Sequence, residues 1–513
     1  MKSDKDLYRQ LRTLSADQLW NDEVPRFDRA SPKERMERVA VIRAVGVVFS
    51  ASGTTEQRDA ARAWLRHLLQ DPSEKIRRYA MAAMPKIGAG KNEEGALLSL
   101  LKTPVGEREK KSLGLALDKI GGEATLEAVT KTPGLLPQTE QKVRASIERR
   151  ESPGSIRMDA ALSNFDGLRI HLRCRNGLET IVRDEVQEYI EQNGKFRVLN
   201  VHSRCVAIEP AAPFSLADIY QLRCFATVGF VLGTARIASP TESIDALAAL
   251  ITSPMSQSLL RTFTEGSIRY RLDFIGKGHQ RAAVRDVVNR AYAMCPEILN
   301  DPRLAPWAMD IHPATHGSSV ELRPKFAPDP RLAYRTDDVA AASHPPLAAC
   351  MARLAGRVDG ETIWDPFCGS GLELIESALL GGVEKIIGTD TSPEAIVIAK
   401  ANVAAAKLGT VQSHFACCDF HDYAKVEGLG RESVTLVITN PPMGRRIRVP
   451  NLRGMFADLF SVATAALKPG GRLVFPNPMR IEPRDASLKL EFQQIVDLGG
   501  FDCRLEMYRK PAR

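Results

Sequence analysis

The sequence predicts three domains of different class. An all-α array spans residues 1–155, an α+β region spans 165–335, and an α/β domain with a doubly wound parallel sheet spans 340–513. Three observations carry this. The first third has helical apolar spacing, a weak internal repeat and almost no strand signal. From Gly167 the texture changes to short alternating runs mixed with helical stretches. From Thr362 onward, a strand, a glycine turn and a helix start are followed by further β-rich runs, each ending at a polar residue. A chain of 513 residues accommodates three domains at ~100–200 residues each.

The array comes first. Leu68-Leu69-Gln70-Asp71-Pro72, closed by Ile87-Gly88, recurs as Leu100-Leu101-Lys102-Thr103-Pro104, closed by Ile120-Gly121. A period of about 32 residues built on a turn and a helix predicts a solenoid-like stack. Arg77, Arg78, Lys110 and Lys111 read as a solvated helix face, with a phosphate-backbone contact as the alternative. The charged helix at 138–150 ends in Glu151-Ser152-Pro153-Gly154-Ser155, a cluster of turn formers that marks the boundary.

In the centre, 168–174, 196–202, 204–208 and 228–237 are predicted strands, and a helix runs from Gly177 to Ile190. The run 267–274 alternates, placing Ile268, Tyr270, Leu272 and Phe274 on one face and Arg269, Arg271 and Asp273 on the other. Gly276-Lys277-Gly278-His279-Gln280-Arg281 then opens a helix over 282–293. A basic glycine turn at a helix start suits a phosphate, which makes Lys277 and Arg281 candidate RNA contacts.

The last third holds the chemistry. Asp365-Pro366-Phe367-Cys368-Gly369-Ser370-Gly371 follows the apolar run Thr362-Ile363-Trp364 and leads into a helix over 372–380. Strands are predicted at 383–389, 413–417 and 434–439, ending at Asp390, Asp419 and Asn440. Ligands in open α/β sheets bind at these carboxyl ends. Ser392-Pro393-Glu394 caps the helix that follows Asp390. Asn440-Pro441-Pro442-Met443-Gly444 is followed at once by Arg445, Arg446 and Arg448, three further cations for an RNA backbone. Beyond, 456–467 and 488–498 are predicted helices, Lys468–Phe475 a turn feeding a strand, and Asp502–Tyr508 the one clear strand remaining.

The paired motifs, Asp-Pro-x-Cys-Gly-Ser-Gly and Asn-Pro-Pro-x-Gly, resemble those of class I S-adenosylmethionine-dependent methyltransferases that modify exocyclic amines. Their spelling is closest to THUMP-domain RNA guanine-N2 methyltransferases. The resemblance implies a Rossmann-like catalytic domain preceded by a ferredoxin-like and THUMP-like region, the latter similar in pattern over Phe225–Pro324. The N-terminal units resemble HEAT-like repeats with a shorter period. The cofactor implied is S-adenosyl-L-methionine. Its methionine part would lie on Asp365, Pro366, Cys368, Gly369, Ser370 and Gly371, its ribose on Asp390, and its adenine near Asp419. Asn440 and the Pro441 carbonyl would accept hydrogen bonds from the target amine, with Pro442 stiffening the loop and Met443 facing the base. The family more often has Tyr or Phe at that last position, so another aromatic such as Phe456 is a candidate for stacking. Ser343-His344-Pro345-Pro346-Leu347 resembles the entry to the catalytic domain, with a helix over 345–354 along the cofactor pocket.

The expected partner is RNA, either rRNA or tRNA, with a protein partner on the helical repeats as a further expectation. Adenine-N6 and glutamine-N5 methylation use the same Asn-Pro-Pro word. A non-catalytic scaffold with a degenerate methyltransferase domain is the reading from another class. A net charge of +8 and a pI near 9.0 suit a polyanion. The nine cysteines include no Cys-x-x-Cys pair, which argues against a zinc site or disulfide framework and for a reducing, cytoplasmic location. The stretch Val39–Ser50 is apolar but short and broken by Arg43, so no membrane span is expected, and His312, His316 and His344 form no ligand set, so no metal site is expected.

Overall fold

The computed structural model describes residues 4–512 except 89, 103–105, 132–136, 237–239, 277, 279, 315–316, 341, 445–448 and 484–486. The chain forms two compact units that interleave along the sequence. One comprises 1–156, 235–253 and 264–318, the other 157–234, 254–263 and 319–513.

In the first unit, helices Ala40–Ser52, Thr55–Leu68, Glu74–Ile87, Lys91–Ser99 and Glu107–Ile120 pack in succession around a shared apolar core that includes Val45, Phe49, Leu65, Met84 and Leu117. The repeated turns carry repeated ion pairs. Arg35 meets Asp71 at 2.7 Å, and Arg77 grips both oxygens of Glu109 at 2.5 and 2.7 Å while also donating to the Asp71 carbonyl. Arg77 is therefore a strut between helices Glu74–Ile87 and Glu107–Ile120 rather than part of a solvated face. Strand Arg269–Phe274 runs parallel to Trp307–Ala314. Its alternation is interrupted at Arg269, which is 1% exposed and paired with buried Asp301 at 2.8 Å.

The second unit holds an antiparallel sheet in which Cys205–Pro210 pairs with Phe196–His202 and Arg169–Arg173, and the latter with Thr227–Arg236. Helix Glu179–Asn193 lies beside it in sequence, between the first two strands. The same unit contains the C-terminal domain. Its strands are β1 (Glu361–Asp365), β2 (Val383–Asp390), β3 (Gln412–Cys417), β4 (Val434–Ile438), β5 (Leu467–Asn477), β6 (Lys489–Asp497) and β7 (Asp502–Arg509). Its principal helices are α1 (Pro345–Ala355), α2 (Leu372–Leu380), α3 (Pro393–Ala406) and α4 (Leu452–Ala466). The sheet order is β3-β2-β1-β4-β5-β7-β6, with β1 to β5 parallel and β7 antiparallel to both its neighbours. This is a Rossmann-like methyltransferase fold. The chain is multidomain and also contains an N-terminal helical region.

One element departs from the sequence expectation. Residues 488–498 form no helix; they are the edge strand β6, paired along its length with β7. Only one neighbour covers it, so most of its side chains stay at least partly exposed and its apolar positions never acquire a clean period of two. The antiparallel pair missing from the sequence reading is this β6–β7 hairpin. No described helix is long and apolar enough to cross a membrane.

The Arg77–Glu109 pair gives a direct test of the helical stack. Glu109 is 1% exposed, so Arg77→Leu leaves a buried carboxylate without its counter-ion and is expected to cost about 3–5 kcal/mol. The double replacement with Glu109→Leu should recover most of that loss in a denaturant titration, because the uncompensated charge is gone.

Candidate active site

The carboxyl ends of β1, β2, β3 and β4 bring four polar segments to one edge of the sheet. Asp365 closes β1 and is fully buried. Its Oδ1 accepts from the Phe367 N–H at 3.0 Å, which tightens the turn, whereas Oδ2 has no hydrogen-bond partner. Burial pushes this carboxyl well above the usual range, and the neighbouring Glu373 pushes it further.

The loop from Pro366 to Gly371 is held at several points. The Cys368 N–H donates to the Thr389 carbonyl at 3.0 Å, and Trp364 Nε1 to the Thr389 hydroxyl at 3.1 Å. The Gly369 N–H donates to Asp390 Oδ2 at 3.0 Å, while Asp390 Oδ1 takes the Ser392 N–H at 2.9 Å. Gly369 and Gly371 have φ of +49° and +83°, the left-handed region in which a side chain is strained. Asn402, fully buried on α3, locks the loop from behind. Its Nδ2 donates to the Ser370 and Asp337 carbonyls at 3.0 and 3.1 Å, and its Oδ1 takes the Thr336 N–H and hydroxyl. Cys368 is 2% exposed and its thiol is raised well above the usual value by burial and then by Asp365, so it is packing and no nucleophile.

At β4, Asn440 Nδ2 donates to Ser343 Oγ at 2.8 Å, and Ser343 in turn hydrogen-bonds buried Glu373 on α2. Asn440 Oδ1 has no partner. Pro441 is buried, whereas Pro442 and Met443 are half-buried. Phe456 is fully buried in α4, against Phe475 with ring centroids 6.0 Å apart. It cannot supply the stacking ring expected of it, because its place on the apolar face of α4 commits it to the core. After β3, Asp419 caps a short turn and Phe420 packs on Phe367 at 4.9 Å. His421 bridges Asp419 (2.6 Å) and Asp458 of α4 (3.3 Å).

The predicted cofactor residues Asp365, Pro366, Cys368, Gly369, Ser370, Gly371 and Asp390 thus lie in one hydrogen-bonded assembly, with Asn440 joined to it through Ser343 and Glu373. Arg281 lies elsewhere, in the first compact unit. There it opens helix Arg281–Met294 and lines a cavity of 720 Å³ with Lys119, Lys142 and Arg303. Lys277, Arg445, Arg446 and Arg448 lie outside the described residues. Ser343, Glu373, Asn402 and His421 were given no role by the sequence reading. Glu373 and Glu376 do leave a trace, as two acids inside the otherwise apolar helix Leu372–Leu380. Glu376 is clamped by Arg223 at 2.6 and 2.8 Å and by the Tyr334 hydroxyl at 2.5 Å.

Residues 332–495 match the family model UPF0020: RMKL-like, methyltransferase domain. The chain is 28% identical over 222 residues to the ribosomal protein L11 methyltransferase of Photobacterium profundum, covering 40% of this chain and 66% of that protein. It is 29% identical over 138 residues to the ribosomal RNA large subunit methyltransferase I of Serratia proteamaculans, covering 26% of this chain and 35% of that one. The chain therefore spans less than two thirds of these curated relatives. Among solved structures, TrmN from Thermus thermophilus superposes with a TM-score of 0.53 at 18% identity, covering 67% of this chain and 99% of that one. The fold likeness thus extends well beyond the C-terminal domain.

The His421 bridge has a measurable signature. Burial opposes the charged ring, but hydrogen bonds from Asp419 and Asp458 outweigh it and raise the pKa. Asp419 moves the other way: burial would raise it, and the His421 backbone and ring hold it below the ordinary range. An NMR titration should place the His421 midpoint above the ordinary value of about 6.5, and Asp419→Asn should bring it down.

Proposed function

We propose that the chain is an S-adenosyl-L-methionine-dependent RNA methyltransferase that forms N2-methylguanosine in rRNA or tRNA. The observation that carries the reading is the Asn440 amide. Its NH2 group is committed to Ser343, and its Oδ1, next in sequence to the Pro441-Pro442 turn, is a buried acceptor without a partner. An exocyclic amine is what such an acceptor would recognise.

The residues present fit the cofactor. Asp365 Oδ2 is a buried carboxylate oxygen without a donor, and Asp365, Asp390 and Glu373 all bear on Cys368 in the same loop. Burial disfavours the charged forms of Asp365 and Glu373, and a cationic ligand carrying N–H donors would offset that cost. Asp365, Pro366, Cys368, Gly369, Ser370 and Gly371 would hold the methionine part, Asp390 the ribose hydroxyls through its remaining lone pairs, and Asp419 the side of the adenine. Bound there, S-adenosylmethionine supplies a methyl group already activated by a sulfonium.

The chain's own contribution is positioning and electrostatics. Asn440 Oδ1 and the Pro441 carbonyl would each accept one N–H of the target amine, which frees its lone pair from the ring and aims it. Two consecutive prolines restrict the loop, so the acceptors are set before the substrate arrives. Met443 offers a thioether to the base where a ring is more usual. The amine proton leaves to solvent after transfer, and no buried general base is required. Guanine N2 follows from the resemblance of the two motif spellings. A net charge of +8 supports RNA over a protein acceptor.

The test is nucleoside mass spectrometry on rRNA and tRNA incubated with the protein and isotopically labelled S-adenosylmethionine. Label is expected in N2-methylguanosine, with a loss of at least ~100-fold in Asn440→Ala. Label in N6-methyladenosine would overturn the base, and label in protein would overturn the acceptor class. In the same samples Asp390→Ala should abolish cofactor binding, because the loop loses both its ribose acceptor and the anchor of the Gly369 N–H.

A further inference from the structure

We infer that Ser343 and Glu373 are positioning residues that set which way the Asn440 amide faces, an inference that rests on Asn440 being the amine acceptor. An asparagine side chain has two orientations related by a half-turn, one offering an acceptor and the other a donor. Facing an amine, the wrong one presents NH2 to NH2 and binds nothing. Some other contact has to choose between them, and Pro441 and Pro442 have no N–H groups with which to anchor the amide oxygen.

The choice is made by proton counting along one chain of hydrogen bonds. Ser343 has a single proton, and it is directed to the Glu373 carboxylate. Its oxygen is then left only lone pairs for Asn440, so it accepts from Nδ2, at 2.8 Å. The amide is thereby turned away from Ser343 at Oδ1, which is buried and unbonded. Glu373 is 3% exposed and sits in the first turn of α2, two residues past Gly371. Its backbone position is therefore fixed by the same loop that would hold the cofactor. Burial raises the Glu373 carboxyl, and the Ser343 hydroxyl opposes that rise by donating to the ionised, acceptor-only form.

The magnitudes favour a kinetic role over a structural one. A half-buried serine to alanine change at this bond removes a contact worth about 1 kcal/mol to folding. For an acceptor whose geometry matters only in the transition state, the same change falls on turnover.

The test uses the full chain labelled with 15N at asparagine. Asn440→Ala identifies the Asn440 NH2 resonances, and Ser343→Ala is expected to shift that proton pair and speed its exchange with water. An unchanged pair overturns the inference whatever the acceptor proves to be. On the RNA that wild type methylates, Ser343→Ala should lower kcat by roughly 10–100-fold with KM for both substrates within about two-fold. Ser343→Thr, which keeps the hydroxyl, should restore turnover to within about three-fold. Glu373→Gln can offer Ser343 a donor as well as an acceptor and should fall between. A kcat for Ser343→Ala within two-fold of wild type overturns the positioning role. If wild type labels no RNA, the RNA reading fails, and the amide resonances alone still decide the orientation.

Discussion

A carboxylate withdrawn from water without a counter-ion is the constraint around which the catalytic domain is arranged. Asp365 stands at the end of the central strand with one oxygen unbonded, and Glu373 and Asp390 lie close enough to oppose its ionisation. An unmade bond to a buried polar group costs about 1–3 kcal/mol, and more where the group is charged. A fold tolerates that only where the surroundings hold the group in place and the missing partner arrives from outside. Both conditions direct attention to the backbone around it, because a loop free to relax would simply turn the carboxylate toward solvent.

Relaxation is prevented from three sides. Trp364 and Cys368 tie the loop to Thr389 on β2, Asp390 draws in the Gly369 N–H, and Asn402 fastens Ser370 and the 336–337 segment to α3. None of these bonds is strong alone, at about 0.5–1.5 kcal/mol net. Together they leave the 366–371 loop no alternative arrangement. One turn further along α2, Glu376 binds Arg223 and Tyr334, so α2 is fixed through both acids it carries. The same helix supplies Glu373 to Ser343 and Asn440. The motif loop and the Asn440 loop, seventy-odd residues apart in the chain, are thus braced by neighbouring residues of one helix.

Much of this was legible in the sequence because parallel sheets impose a simple grammar. The runs ending at Asp365, Asp390 and Asn440, and the cap at Ser392, follow from strand, turn and helix signals that local chemistry alone produces. What escaped were features that exist only across the fold. Strand β6 has one neighbour, so its pattern of burial is weak and its helical-looking spacing prevailed in the reading. Arg269 and Arg77 looked like surface cations because their partners, Asp301 and Glu109, lie 32 residues away. Glu373 carries no motif and Ser343 only opens the segment that enters the domain; the meeting of a loop, a helix and a strand end gives them a common role.

The acceptor side of the site bears on how a base would be held there. In the proposed reading, a ring at position 443 would contribute about 1–3 kcal/mol of stacking. Met443 gives less, and Phe456 gives none because it is buried beneath the sheet's helix layer. Deficits of this kind fall on binding, since stacking acts on the ground state and the transition state alike. Orientation of the amine acts differently. It depends on the Asn440 oxygen being left unbonded, and every group that determines its orientation is buried or half-buried and hydrogen-bonded. A site built this way can bind its base weakly and still methylate it, provided the rest of the RNA supplies the affinity. In a chain carrying +8, backbone contacts remote from the reacting amine are the natural source of that affinity. Specificity for the nucleotide would then rest on the amine acceptors, and specificity for the RNA on surfaces far from them.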